Sequence, residues 1–150
     1  PDAKDFLAGV AGTLGKGAGL VLGVDLKKDP ARLRPAYDDA EGVTAAFNLN
    51  LLRRINRELG GTFDLGGFVH EARWNEDASR IEMHLVSRAA QTVRIGGQAF
   101  DFGEGESIHT ENSHKYSLDA FRALAEAAGW RPVEAWTDAA GLFSVHYLEV

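Results

Sequence analysis

Glu111 and Ser113 stand two residues apart within Ile108 to Tyr116, a run that reads as extended chain. Side chains at i and i+2 of a strand point to one face. A carboxylate and a hydroxyl on one wall can address both nitrogens of an imidazole. The carboxylate accepts from one N–H, and the hydroxyl donates to or accepts from the other nitrogen. The same spacing also describes a polar strand facing solvent, and the residues alone leave both readings open. Tyr37, in Tyr37-Asp38-Asp39-Ala40, comes just before a long helical pattern. Its phenol can hydrogen-bond a carboxylate while the ring packs, or simply close a core edge. Met83 shares a strand face with Ile81 and Leu85, where packing is the plain role of a thioether.

Five histidines, at 70, 84, 109, 114 and 146, raise the question of a metal. None forms an H-x-x-x-H or H-E-x-x-H pair. His109 and His114 are an odd number of residues apart, which on a regular strand means opposite faces. No metal centre is expected, because ligand clustering is absent from the spacing. No Ser-His-Asp arrangement is visible, and no catalytic residue is assigned. Asp38, Asp39 and Glu41 read as the acidic start of a helix.

These residues need elements to position them. Phe6, Leu7, Val10 and Leu14 fall at helical spacing, and Gly15 is a natural end. The glycines of Gly15-Lys16-Gly17-Ala18-Gly19 follow that helix and precede a strand. A phosphate-cradling loop has the reverse order, strand then helix, so this cluster reads as a turn. Leu20 to Asp25 is a short apolar run, expected to be a strand buried on both faces of a parallel sheet. Asp29-Pro30 starts a short helix through about Tyr37. Val43, Phe47, Leu51, Leu52, Ile55 and Leu59 form the apolar stripe of a longer helix ended by Gly60-Gly61, with Arg53, Arg54 and Arg57 off the stripe. From Phe68 to Tyr116 the period falls to two, with a hairpin signal at Gly96-Gly97. Ser117 caps a further helix with Leu118, Phe121, Leu124, Ala125 and Ala128 on one face. Pro132 to Thr137 and Leu142 to Leu148 are expected to pair antiparallel, the second lying beside Leu20 to Asp25.

The length of 150 residues suits one domain. A hydrophobic fraction of 45% argues against disorder, and a net charge of -6 against a dedicated nucleic-acid binder. Zero cysteines exclude disulfides and thiolate chemistry. No apolar run approaches the length of a membrane span, and Pro1 to Asp5 does not resemble a signal peptide, so a cytoplasmic location is expected. The abrupt start, without Met, suggests the later part of something longer.

Three blocks carry a resemblance. They are Gly23-Val24-Asp25-Leu26-Lys27-Lys28-Asp29-Pro30 with Ala36 to Asn48; Arg80 to Leu85; and Thr110-Glu111-Asn112-Ser113-His114-Lys115-Tyr116-Ser117 with Trp130 to Val133 and Leu142 to Val145. The chain resembles the histidine-specific, S-adenosylmethionine-dependent Nα-methyltransferases of ergothioneine biosynthesis, over nearly its whole length. The resemblance implies an α/β fold, the C-terminal part of a Rossmann-like class I methyltransferase sheet with an inserted antiparallel β substrate-recognition block. Residues 1–60 would be late Rossmann elements, 61–117 the inserted block, and 118–150 the final helix and strand pair. It implies that Glu111 and Ser113 meet the imidazole of L-histidine, that Tyr37 helps bind the amino-acid end, and that Met83 lies against the ring. It also implies that the cofactor loop and an asparagine for the substrate carboxylate lie outside this sequence, so no cofactor-binding residue is assigned. A methyltransferase segment and a non-catalytic histidine-binding or association module both remain open. An exposed sheet edge makes a dimer a further expectation.

Overall fold

A computed structural model describes residues 2–150 as two compact units. The first comprises the segment up to Lys28 with His114–Val150, and the second Asp29–Ser113.

In the first unit, α1 (Ala3–Leu14) starts where the Asp2 carboxylate accepts from Asp5 N and ends at Gly15. Strand β1 (Gly19–Asp25) pairs antiparallel with β8 (Phe143–Glu149), which pairs antiparallel with β7 (Arg131–Thr137). The order is β1-β8-β7, so the C-terminal strand lies beside β1 as expected. Helix α4 (Leu118–Ala127) is capped by the Ser117 hydroxyl, which accepts from Ala120 N. Leu7, Ala11, Val24, Phe121, Ala125, Ala128, Trp130 and Leu148 form the core of this unit. The Trp130 indole N–H donates to Leu7 O at 2.8 Å within it.

Two expectations are corrected here. Strand β1 is not buried on both faces: it is a sheet edge, and Val21 is 66% exposed while Leu20, Leu22 and Val24 turn to the core. The exposed face of β1 carries Gly19 and Gly23. A Cβ there would come within 2.9 Å of Tyr147 and 2.7 Å of Phe143, so glycine makes room for these two rings of β8. On α1 the buried residues are Leu7 and Ala11, whereas Phe6 and Leu14 are exposed. Helix α1 packs on α4, and Leu7 and Ala11 join Phe121, Ala125 and Ala128 in one core, while Phe6 and Leu14 lie outside it.

In the second unit, α2 (Pro30–Tyr37) has the expected bounds, with Asp29 Oδ1 accepting from Ala31 N. Helix α3 (Val43–Leu59) starts on Asp39, whose carboxylate accepts from Val43 N and Thr44 N, both at 2.8 Å. Hydrogen bonds from Thr44, side chain and backbone, and from Val43 pull the Asp39 carboxyl down to about 2. The strands are β2 (Phe68–Asn75), β3 (Arg80–Ser87), β4 (Gln91–Ile95), β5 (Gln98–Phe102) and β6 (Ser107–His114). β2, β3 and β6 form one sheet in that order. β4 and β5 form a hairpin, with Gly96 and Gly97 both at positive φ, as a two-residue type I′ turn requires.

The apolar stripe expected on α3 is turned. Asn48 and Leu52 are its buried residues, while Val43, Phe47 and Leu59 are exposed. Leu52, with Leu49 and Ile55, packs on Phe63, Phe68, Leu85 and Val93. That packing sets which arc of the helix faces the sheet. Helices α2 and α3 pack on β2 and β3 and so belong with them to the second compact unit. No helix of the described residues is long and apolar enough to cross a membrane.

Candidate functional site

Tyr37 closes α2, and its hydroxyl lies 2.7 Å from Ser113 Oγ on β6. Two residues 76 apart in sequence, both singled out from sequence, thus meet. The Tyr37 carbonyl is 2.7 Å from His70 Nε2 on β2. His70 Nδ1 is 3.0 Å from Asn48 Nδ2, which also donates to His84 O at 3.2 Å. The sequence weighed His70 only among the histidines of the metal question and did not single out Asn48. The one signal for Asn48 was its position at the edge of an apolar stripe.

Glu111 is exposed on β6 and opens on a cleft of about 220 Å³. Thr110 lines it from the same strand, and Phe47, Asn48, Leu51 and Arg54 line it from α3. Arg54, read from sequence as solvated, therefore stands at this cleft, where it also pairs with Glu58 at 3.1 Å. A carboxylate and a guanidinium lining one cleft, with Phe47 and Leu51 beside the polar Asn48, Asn50 and Thr110, can bind a ligand that carries both an N–H donor and a carboxylate.

Met83 is buried in β3 and does not line that cleft. Its carbonyl accepts from Thr110 Oγ1 at 2.9 Å, so it is one hydrogen bond away from the lining. On β6, Ser113 bonds to Tyr37, and Glu111, two positions away, opens on the cleft. The structure brings together Tyr37 with Ser113, and Glu111 with Thr110 and α3.

The histidine reading needs one correction. The donor atoms of Glu82, His84 and His109 lie within 4.8 Å of one another, a cluster that the spacing along the chain did not reveal. It arises because β3 and β6 are neighbours, which only the sheet order supplies. Its own bonds already close. His84 Nε2 is 3.3 Å from Glu82 Oε2 and His84 Nδ1 is 3.1 Å from Ser107 Oγ. The two imidazoles stack at 4.7 Å with planes 16° apart, so their in-plane lone pairs do not converge on one point. Arg80 donates to Glu82 Oε1 at 2.6 and 2.8 Å and, with Asn75 and His84, holds that carboxyl at about 2. A guanidinium on the same carboxylate repels a second cation. Burial, opposed by the Glu82 hydrogen bond, keeps His84 below the ordinary imidazole range. The cluster reads as a polar network rather than a metal centre.

Comparison with known proteins decides the family. The model of the histidine-specific, SAM-dependent methyltransferases matches residues 1–150. The chain belongs to that family. A histidine N-alpha-methyltransferase of Mycolicibacterium smegmatis is 49% identical over 143 residues, 94% of this chain and 44% of that protein. Its counterpart from Mycobacterium tuberculosis is 48% identical over 142 residues, again 44% of that protein. Ergothioneine biosynthesis protein 1 of Neurospora crassa is 32% identical over 139 residues, 91% of this chain and 15% of that protein. The chain spans under half the length of these curated relatives. A solved S-adenosylmethionine-dependent methyltransferase from Clostridium acetobutylicum superposes with a TM-score of 0.45 and 9% identity over 98% of this chain and 50% of that one, too loose a likeness to argue from.

The family depends on S-adenosylmethionine, and the glycine cluster of the described residues is not a loop of the kind that cradles an anionic or polar tail. Their glycine cluster at 15–19 joins the C-terminal end of α1 to β1. A cradling loop has the reverse order, strand then helix, so the helix that follows can present its N-terminus to the ligand.

Proposed function

We propose that this chain supplies the histidine-reading part of an S-adenosylmethionine-dependent L-histidine Nα-methyltransferase, the activity that serves ergothioneine biosynthesis. The first unit is the end of the Rossmann-like sheet, and the strands of the second unit are the substrate-recognition block. Glu111 accepts from one imidazole N–H of the substrate. Ser113 and the Tyr37 phenol form the second contact, with Tyr37 toward the amino-acid end. Met83, buried behind the cleft wall in β3 and bonded through its carbonyl to Thr110, sets the space for the ring from behind. No residue of this chain is assigned as the base that deprotonates the α-amine. L-histidine is the small-molecule partner, with no nucleic-acid partner, and the location is cytoplasmic.

The observation that carries this reading is the 2.7 Å bond between Tyr37 and Ser113, two positions along β6 from the cleft residue Glu111. A second reading, a histidine-binding or association module without catalysis, is favoured by the order helix, glycines, strand at 15–19. One experiment separates them. The chain is grafted in place of the matching 143 residues of the Mycolicibacterium smegmatis relative, and methylation of histidine is measured. Methylation by the chimera supports the enzyme reading. A folded chimera that binds histidine and transfers no methyl group supports the module, and one that neither binds nor methylates histidine refutes both.

A further inference from the structure

The last carbonyls of a helix have no donor inside it. Tyr37 ends α2, and its carbonyl finds a donor at His70 Nε2, 2.7 Å away. A carbonyl only accepts, so Nε2 carries the proton. The other ring nitrogen, Nδ1, faces Asn48 Nδ2 at 3.0 Å, and an amide NH2 only donates. Nδ1 therefore accepts, and the bonds select the Nε2–H tautomer of His70. The orientation of Asn48 is itself determined, because the same Nδ2 donates to His84 O at 3.2 Å. Turning the amide over would set Oδ1 against that carbonyl and leave two acceptors face to face. Both side chains are buried, at 3% and 7% exposure, so water does not substitute for either bond.

The chain of bonds runs one way: His84 O orients Asn48, Asn48 selects the His70 tautomer, and His70 holds the Tyr37 carbonyl. At the end of it the Tyr37 phenol sits 2.7 Å from Ser113 Oγ. Asn48 also lines the cleft onto which Glu111 opens, so one buried amide touches both halves of the candidate site. We infer that Asn48 and His70 are positioning residues, which fix the backbone of Tyr37 so that its phenol is preorganised against Ser113 for the substrate. This rests on the proposed role of Tyr37 and Ser113 in binding histidine. Neither residue needs to touch the ligand. Their effect is to remove the alternative positions of the Tyr37 side chain before the ligand arrives.

The test uses the 150-residue chain labelled with 15N and 13C. Long-range 1H–15N spectra of the imidazoles report the tautomer directly. His70 is expected as the Nε2–H form, and Asn48→Leu is expected to lose that preference and to shift the Tyr37 ring and Ser113 resonances. His70→Gln retains a side-chain N–H that can reach the Tyr37 carbonyl, whereas His70→Leu does not. The glutamine variant should keep the wild-type Tyr37 and Ser113 resonances, and the leucine variant should lose them. L-histidine is then titrated into each protein. Loss of one positioning hydrogen bond should weaken binding about tenfold in Asn48→Leu and His70→Leu, with His70→Gln within about threefold of wild type. An Nδ1–H His70, or glutamine and leucine variants with the same effect on Tyr37, overturns the inference. If a leucine variant fails to fold, the wild-type tautomer and the His70→Gln spectrum still decide it. The tautomer and the Tyr37 resonances need no ligand. A wild-type chain that takes up no histidine thus counts against the proposed function, while those spectra still decide the inference.

Discussion

Replacing Glu111 with alanine should strip the site of its imidazole preference while leaving the fold alone. Glu111 is exposed, and a surface substitution of this kind changes stability by no more than about 0.5 kcal/mol. A hydrogen bond to a charged group contributes about 1.5–3 kcal/mol. At about 1.36 kcal/mol per decade, that is roughly a ten- to 150-fold loss in kcat/KM for histidine. The cleft is open and Glu111 is reached by water, so the lower end, about tenfold, is expected. Glu111→Gln keeps one acceptor without the charge and should fall between alanine and wild type. Activity toward tryptophan, which has no second ring nitrogen, should change less, so the ratio of the two substrates shifts. Met83→Val should admit a larger ring and leave the imidazole preference intact. The assay is steady-state methyl transfer in the mycolicibacterial chimera, with histidine and tryptophan in parallel. An unchanged ratio in Glu111→Ala means that Glu111 does not read the imidazole, and its assigned role falls.

The remaining predictions concern stability, cofactor and association. Lys115, with a fully buried side chain, pairs with Asp25 at 2.7 Å, and Asp25 also pairs with Lys28 at 2.6 Å. Asp25→Asn should cost about 3–5 kcal/mol in urea unfolding, the range for breaking a buried pair; Lys115→Met should cost less, because Asp25 keeps Lys28, and the reverse order would refute the argument. Burial pushes the Asp25 carboxyl up, but the bonds from Lys115 and Lys28 outweigh it and the net shift is downward. Its contribution is therefore present above the ordinary 3.8 and disappears as pH falls through the lowered folded value. His146 is wholly buried; Ser144 Oγ donates to Val24 O and so accepts from His146 Nε2–H, leaving Nδ1 without a partner. Burial lowers its pKa below 6.5, so stability should fall as pH drops through 6.5, and the decline should be shallower in His146→Leu. Calorimetric titration of the 150-residue chain with S-adenosylmethionine should give no appreciable heat of binding, and micromolar affinity would contradict the reading of the glycine cluster. If the β1 edge pairs two copies, Val21→Lys should abolish a dimer seen by light scattering, and a dimer that survives it would exclude that edge.

What could be read from the sequence was what short-range chemistry controls. Asp29-Pro30, Asp39, Ser117 and Gly15 act on backbone groups within a few residues, so helix starts and ends were legible. Gly96-Gly97 specified the hairpin for the same reason. Alternation specified the antiparallel block, and the residues around Glu111 and Tyr37 pointed to the family that the comparison supports. Tertiary structure decided which apolar residues are covered. Helix α3 has more apolar residues than one sheet face can bury, and contact with Phe68 and Leu85 selected Leu52 over Phe47 and Val43. The buried polar groups were equally out of reach. The spacing of Asn48, His70, His84 and His109 along the chain does not reveal which of them meet, because a buried polar atom is stable only beside its partner and the Asn48–His70, His70–Tyr37 and His84–His109 contacts each join two elements. The neighbourhood of β3 and β6, and the packing of α2 and α3 on the sheet, supply those partners, and no local pattern encodes them.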